Sequence, residues 1–371
     1  MTVDDLRLAD FRPRSALRVP VHEVPRPRYP AIDVHNHLGE AFGGEWASRD
    51  PEELIAVLDA SGVQAIVDLD GGQGDQLSRE IDRWQRRGPD RVAVFAGLDY
   101  EMWSSDRAFG ETEARRLRDS IARGASGLKV WKLLGLRARD PDGRLVPIDD
   151  ARLDPLWSGA AELDVPVLIH IADPVAFFEP LDATNERWEE LHAHPDWHFW
   201  PTRPADDPDG DGFPPFDELL AGLDRLLERH PETTFIGAHV ASAAEDLTLV
   251  GRLLDRHPNL SVDIAARLAE LGRQPYSTRS FFLRYADRIL FGVDMAPDPS
   301  LYAIHYRFLE TFDESFDYST DPVPGQGRWQ IHGIGLPDDV LRKIYRENAI
   351  RVLRLAGAEA RTTGTAEVSA R

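Results

Sequence analysis

From residue 30 onward, short apolar runs alternate with stretches whose apolar positions recur at helical spacing. The runs are AIDVHNH (31–37), VQAIVDLD (63–70), RVAVFAGLD (91–99), ASGLKVWK (125–132), VPVLIHI (165–171), TTFIGAHV (233–240), LSVDIA (260–265) and RILFGVD (288–294). Each is nearly continuous in apolar residues, as parallel strands buried on both faces are. A helical pattern follows each run, at 50–62 and around 75–87, 111–123, 152–163, 216–230, 245–257, 278–286 and 300–311, with a closing helix at 338–355. The first helix carries its own punctuation: Asp50 as N-cap, Pro51 in the first turn and Gly62 past the end.

Eight strand–helix units predict an α/β fold, a (β/α)8 TIM barrel. The alternative is an open doubly wound sheet, but no strand is followed by a GxGxxG or Walker-type loop. Residues 1–29, rich in Pro and Arg and ending in VPRPRYP, lack periodicity and read as an extended N-terminal arm. A long aromatic and acidic insertion follows strand five, over 172–215. The chain divides into the arm (1–29), the barrel (30–356) and a small, polar, flexible tail (357–371).

Composition narrows the chemistry. The 371 residues are 42% hydrophobic and 29% charged, an ordinary globular balance. A formal charge of −21 repels phosphate backbones and argues against nucleic-acid binding. Cysteine is absent, which excludes disulfides, thiolate-bound zinc, iron–sulfur clusters and cysteine nucleophiles. No apolar run approaches the ~18 residues of a membrane span. The acidic start MTVDDLRLADFRPRS lacks the apolar core of a secretory signal, so a cytoplasmic protein is the default expectation. Three of the 43 basic residues are lysine (Lys129, Lys132, Lys343), and lysine, unlike arginine, is able to lose its proton.

In such a barrel, functional groups stand at the C-terminal ends of strands. Strand one ends in His35 and His37, whose spacing turns both to one face. Strand four carries Lys129, strand five ends in His170, strand six in His239 and strand eight in Asp294. A lone histidine on an apolar strand is usually a core residue. Here four of the chain's 12 histidines fall at strand ends. Three imidazoles and a carboxylate form a ligand set for a divalent transition metal, with a fourth imidazole and an ammonium beside it.

The order DVHNH, GLKVWK, LIH, GAH, FGVD resembles the amidohydrolase superfamily, specifically its amidohydrolase-related branch. The segment LPDDVLRKIYRENAIRVLRL is similar to that branch's closing helix. The resemblance implies that His35, His37 and His170 hold the metal and that Asp294 binds it or takes the proton of its water. His239 is implied as a second-metal ligand in a binuclear site, or as the acid/base group beside the water in a mononuclear one. Lys129 aligns with the lysine that carries a bridging carbamate in binuclear hydrolases, which the decarboxylases of the branch do without. Zinc is expected first, with manganese, iron, nickel and cobalt as alternatives; one ion is favoured, two if Lys129 is carbamylated. The implied function is a metal-dependent hydrolase, metal-activated water attacking an amide, ester or lactone of a small organic substrate. The alternative is a mononuclear-metal, non-oxidative decarboxylase of an aromatic or unsaturated carboxylic acid. From another class comes a non-catalytic barrel serving as scaffold or ligand carrier.

Further candidates lie around the mouth. Trp131 shares a face of strand four with Lys129; Lys132 points the other way in a regular strand, or reaches the mouth from the following loop. Arg267, after strand seven, is placed to clamp a substrate carboxylate, and Asp263 to orient an imidazole. Phe177 and Phe178 head an aromatic insertion that suits an apolar ligand or a homodimer contact. His192, His194 and His198 are read as insertion residues without a ligand role, since no strand fixes them. DPDGDG (207–212) reads as a polar turn, lacking the later Glu of a calcium loop. The expected partner is a small-molecule substrate.

Overall fold

The computed structural model describes residues 2–7, 10–39, 44–203 and 212–355. The expected tail from 357, and all of the DPDGDG turn except Gly212, lie outside them. Eight strands run β1 (Ala31–Asn36), β2 (Val63–Asp68), β3 (Val92–Val94), β4 (Leu128–Val130), β5 (Val167–Ile169), β6 (Phe235–Gly237), β7 (Leu260–Asp263) and β8 (Ile289–Leu290). They pair in parallel in chain order, from β1 to β3 and from β4 to β8. A parallel bridge between Ala96 and Leu128 joins the two groups. The ring closes where Val34 N–H donates to the Phe291 carbonyl (3.0 Å) and Asp294 N–H to the His35 carbonyl (2.8 Å). This is the closed (β/α)8 barrel.

The strands are shorter than the apolar runs, because the last residues of each run leave the ladder and bend into the mouth. Helices follow as the periodicity predicts: α1 (Pro51–Ser61), α2 (Gly74–Glu80), α3 (Phe109–Arg123), α4 (Asp154–Glu162), α5 (Phe216–Arg229), α6 (Leu247–Arg256), α7 (Pro275–Arg284) and α8 (Pro299–Glu310). The closing helix α9 (Asp338–Arg342) continues through a wide turn at 343–347 into Asn348–Leu353. On α1 the Asp50 carboxylate accepts from Glu52 N–H at 3.0 Å, and Gly62 ends the helix at φ 71°. That left-handed conformation is open to glycine at little cost.

Two apolar layers hold the barrel. Val67, Phe95, Leu168, Ile236 and Leu290 fill its interior, joined by Val352 and Leu353 of the closing segment. Ile66, Val130, Ile169 and Val262 point outward into the helix layer. Each fully buried side chain of this size contributes about 1.5–3 kcal/mol.

One irregularity sets the site. Ile32 and Val34 face the inner layer, while Asp33 bonds outward to Tyr302 Oη at 2.8 Å. Strict alternation would next send Asn36 inward. Instead the β1–β2 register shifts between Asp33 and Asn36. His35 turns inward, and the Asn36 amide bonds to the Asp33 carboxylate (2.9 Å) and the Met295 carbonyl (3.0 Å). The bulge thus re-aims both histidines of strand one.

Among the elements the sequence pattern did not predict are the short helices Trp188–Ala193 and Leu268–Arg273, and the segment 312–337 between α8 and α9, which carries the Phe316–Ile331 bridge. The end of the arm is strapped to the barrel, with His22 N–H on Asp313 (2.7 Å) and Arg28 N–H on Glu310 (2.9 Å). Among the described residues no helix is long and apolar enough to cross a membrane.

Candidate metal centre

The strand ends converge as their positions predict. His35 Nδ1 lies 2.9 Å from Asp263 Oδ2, His37 Nδ1 2.6 Å from Asp70 Oδ1, and His239 Nδ1 2.8 Å from the Ala265 carbonyl. Each acceptor takes a proton from Nδ1, so each Nε2 presents a lone pair. Burial holds His35 and His239 well below the usual histidine range, so both rings are neutral near pH 7.

Those lone pairs meet one carboxylate. Asp294 Oδ1 is 3.3 Å from His37 Nε2 and 3.6 Å from His35 Nε2, and Asp294 Oδ2 is 3.6 Å from His239 Nε2. Asp294 Oδ1 is buried and receives no hydrogen bond. A carboxylate oxygen buried without a donor is costly, and a cation between it and the imidazoles would satisfy it. Ligands about 2.1 Å from a tetrahedral ion lie about 3.4 Å apart, which matches these separations. The donor atoms of His35, His37 and Asp294 all lie within 4.8 Å of one another, as do those of His35, His239 and Asp263. The residues fit a divalent metal.

Backbone strain gathers at the same mouth. His239, Ala266 and Asp294 have φ of 58°, 53° and 56°, left-handed values that cost about 1–3 kcal/mol each for such residues. Asp263 holds the first of these turns, its Oδ1 accepting His239 N–H at 2.8 Å.

His170 stands beside the two clusters. Its ring meets His239 edge-on with centroids 4.5 Å apart, and its Nε2 bonds the Ala172 carbonyl at 3.1 Å, leaving Nδ1 as the lone-pair atom. Burial lowers its pKa to about 4. Lys129 is fully buried, its Nζ 3.1 Å from His35 Nε2 and 5.1 Å above the Trp131 ring. Burial lowers its pKa in spite of Asp294, Asp263 and Asp70 nearby.

A cavity of about 370 Å³ opens over the centre, lined by His37, His170, His239 and Asp294 together with Trp46, Phe177, Trp197, Arg267 and Gln326. Two expectations need correction. Phe178 turns away from the cavity into the core, against Phe199 (5.1 Å) and Phe216 (5.6 Å). Trp131 backs the His37 ring at 4.9 Å and is not part of the cavity wall, because β4 ends at Val130. Lys132 starts the next turn, lines the cavity and pairs with Asp173. Arg267 is buried in the cavity wall. His192 and His198 bond the Trp188 and Glu179 carbonyls, and neither they nor His194 joins a metal cluster among the described residues.

Sequence reasoning missed Asp70, Trp46 and Gln326. Asp70 closes the second run as His37 closes the first, and strand-end position was a signal for it. Trp46 and Gln326 sit on segments with no periodicity to place them.

The sequence matches the family model described as Amidohydrolase over residues 32–355. The chain belongs to the amidohydrolase family. It is therefore an enzyme, which sets aside the non-catalytic scaffold. The amidohydrolase chain is similar in structure to an uncharacterized TIM-barrel protein from Bordetella bronchiseptica (15% identity, TM-score 0.53, covering 88% of this chain and 99% of that one). It is also similar to 2,6-dihydroxybenzoate decarboxylase from Rhizobium (17% identity, TM-score 0.52, covering 89% and 100%). At these identities the likeness is one of fold. Among curated proteins, the tetraacyldisaccharide 4'-kinase of Dinoroseobacter shibae is 28% identical over 182 residues, 48% of this chain. The match spans 43% of that protein's length. This amidohydrolase chain carries no Walker-type loop of the kind a P-loop kinase uses.

Proposed function

We propose that the protein is a metal-dependent hydrolase, opening an amide, ester or lactone bond of a small organic substrate, with zinc as the ion. The observation that carries this reading is Asp294: one carboxylate oxygen without a hydrogen bond, facing the lone pairs of His35 and His37. His35, His37 and Asp294, with His170 through Nδ1, would hold the divalent ion, which when bound would supply Lewis acidity and lower the pKa of water towards ~7. Asp294 Oδ2, on the His239 side, accepts the proton of the attacking water. His239 Nε2 stands 3.6 Å away and carries that proton on to the leaving amine or alkoxide. Asp263 and Asp70 fix the tautomers of His35 and His37.

A second reading, decarboxylation at one ion, draws on two observations. Lys129 is fully buried and is not among the cavity-lining residues, which favours a single ion. Phe177 and Trp197 also line the cavity with aromatic faces, which suits an aromatic or unsaturated acid.

The test is product analysis. Zinc-reconstituted protein is given carboxylated lactones, aryl esters and anilides, and separately aromatic and unsaturated acids. Acid release without CO2, abolished in Asp294→Asn, supports hydrolysis. CO2 release from the acids overturns it in favour of decarboxylation.

A further inference from the structure

We propose that residues 317–330 form a flap over the cavity and that Arg328 is its latch, holding the flap to the aromatic insertion through Glu189 and to the N-terminal arm through Phe11. The inference concerns access to the cavity and holds whichever reaction takes place there.

The segment between α8 and α9 is closed at its base. Gly333 N–H donates to the Asp313 carbonyl at 2.7 Å, Phe316 and Ile331 form an antiparallel bridge, and His332 N–H donates to the Gly272 carbonyl at 3.0 Å. Beyond this base, residues 319–330 are all exposed or half-buried. The loop bends over the cavity at Gln326, which lines it and donates to the Ala266 carbonyl at 3.1 Å. A loop closed at its base and solvated along its length moves as a unit about that base.

Arg328 ties this loop down with all three of its side-chain nitrogens. Nε and Nη2 donate to the two oxygens of Glu189 at 2.7 and 2.8 Å, and Nη1 donates to the Phe11 carbonyl at 2.5 Å. Glu189 belongs to the short helix Trp188–Ala193, between Arg187 and Glu190, which line the cavity from that side. The arm meets the loop at its base and at the latch, His22 on Asp313 and Phe11 on Arg328. Arg273, 3.9 Å over the Trp329 ring, steadies the loop next to the latch.

Beside the latch the two sides stand apart. Ala183, Asn185 and Trp188 of the insertion face Gly325, Gly327 and Trp329 of the loop across a second cavity of about 510 Å³, and Arg187 and Glu190 line both cavities. The bidentate pair fixes geometry, but with side chains 17% and 31% exposed it is a weak bond that salt screens. A latch needs that combination, since it must hold and release.

The chain has no cysteine, so Phe177→Cys places its sole thiol in the cavity wall. The rate at which iodoacetamide, small and neutral, alkylates that thiol measures access. Adding Arg328→Ala is expected to speed alkylation about threefold, the effect of losing an exposed ion pair. Hydrogen exchange is expected to rise in 317–330 and not in the barrel strands. Arg328→Lys, which keeps the charge but not the fork, is expected to give a smaller rise. Added salt is expected to speed alkylation while the latch is intact and to leave the Arg328→Ala rate unchanged. Trp197→Cys, also in the cavity wall, carries the same measurement where Phe177→Cys does not fold. Equal alkylation with and without Arg328 overturns the proposal. So does faster exchange spread evenly over the barrel, which marks general destabilisation instead of a flap.

Discussion

His35 and Asp263 are 228 positions apart in the chain, yet their Nδ1 and Oδ2 atoms lie 2.9 Å apart in the barrel mouth. The carboxylate of β7 thereby decides which nitrogen of the β1 imidazole keeps its proton. Asp263→Asn removes the charge that holds that tautomer while its remaining oxygen still accepts His239 N–H. Metal affinity is expected to fall about 10–100-fold with the fold intact. Competition with a chelator, alongside circular dichroism, checks both halves of the statement.

His37 is the second test of the centre. In His37→Ala the Asp294 carboxylate loses its nearest imidazole contact, at 3.3 Å. Bound metal is expected to drop below about a tenth of the wild-type content, because the ligand is removed outright. Trp131→Phe keeps an aromatic ring behind His37 and is expected to retain the metal. Elemental analysis of the two variants separates a ligand from its support.

Much of this architecture was legible from pattern alone. Parallel strands buried on both faces leave long apolar runs, and the mouth residues break those runs at one end, so His35, His37, His170, His239 and Asp294 stood out. The inward turn of His35 was not legible in the same way. It depends on a register shift between Asp33 and Asn36, which alternation does not encode. Trp46 and Gln326 come from loops whose path is set by tertiary packing. Arg267 stood out by its place after strand seven, but its burial in the cavity wall is set by tertiary packing that the sequence does not display.

Stability is expected to depend on pH through His305, which belongs to neither His/Asp cluster at the mouth. His305 on α8 is buried, its Nδ1 donating to the Leu301 carbonyl at 2.9 Å and its Nε2 without a partner. Burial lowers its pKa to about 4, against the opposing effect of the Leu301 bond. Between the usual 6.5 and 4 the unfolded chain binds the extra proton, so stability falls as pH falls through that window. The loss attributable to His305 reaches about 3 kcal/mol near pH 4. His305→Phe is expected to flatten this acid limb while changing little at pH 7.5. Denaturant unfolding at pH 5 and 7.5 measures it.

Gly110 reverses a familiar rule. Alanine in place of a helical glycine usually stabilises by up to ~1 kcal/mol. Here, in the first turn of α3, a Cβ would collide with the backbone carbonyl of Arg152, which has no rotamer with which to yield. Gly110→Ala is expected to destabilise by about 2 kcal/mol. A lower denaturant midpoint at unchanged slope is the expected result.

The central claim is that His35, His37 and Asp294 hold a divalent ion. Elemental mass spectrometry on protein purified without chelator or histidine tag tests it most directly. The expected result is about one zinc per chain, restored after chelation and refilling, and absent from Asp294→Ala. A wild-type chain that stays empty after refilling, or that holds the same ion when both His37 and Asp294 are replaced by alanine, would contradict it.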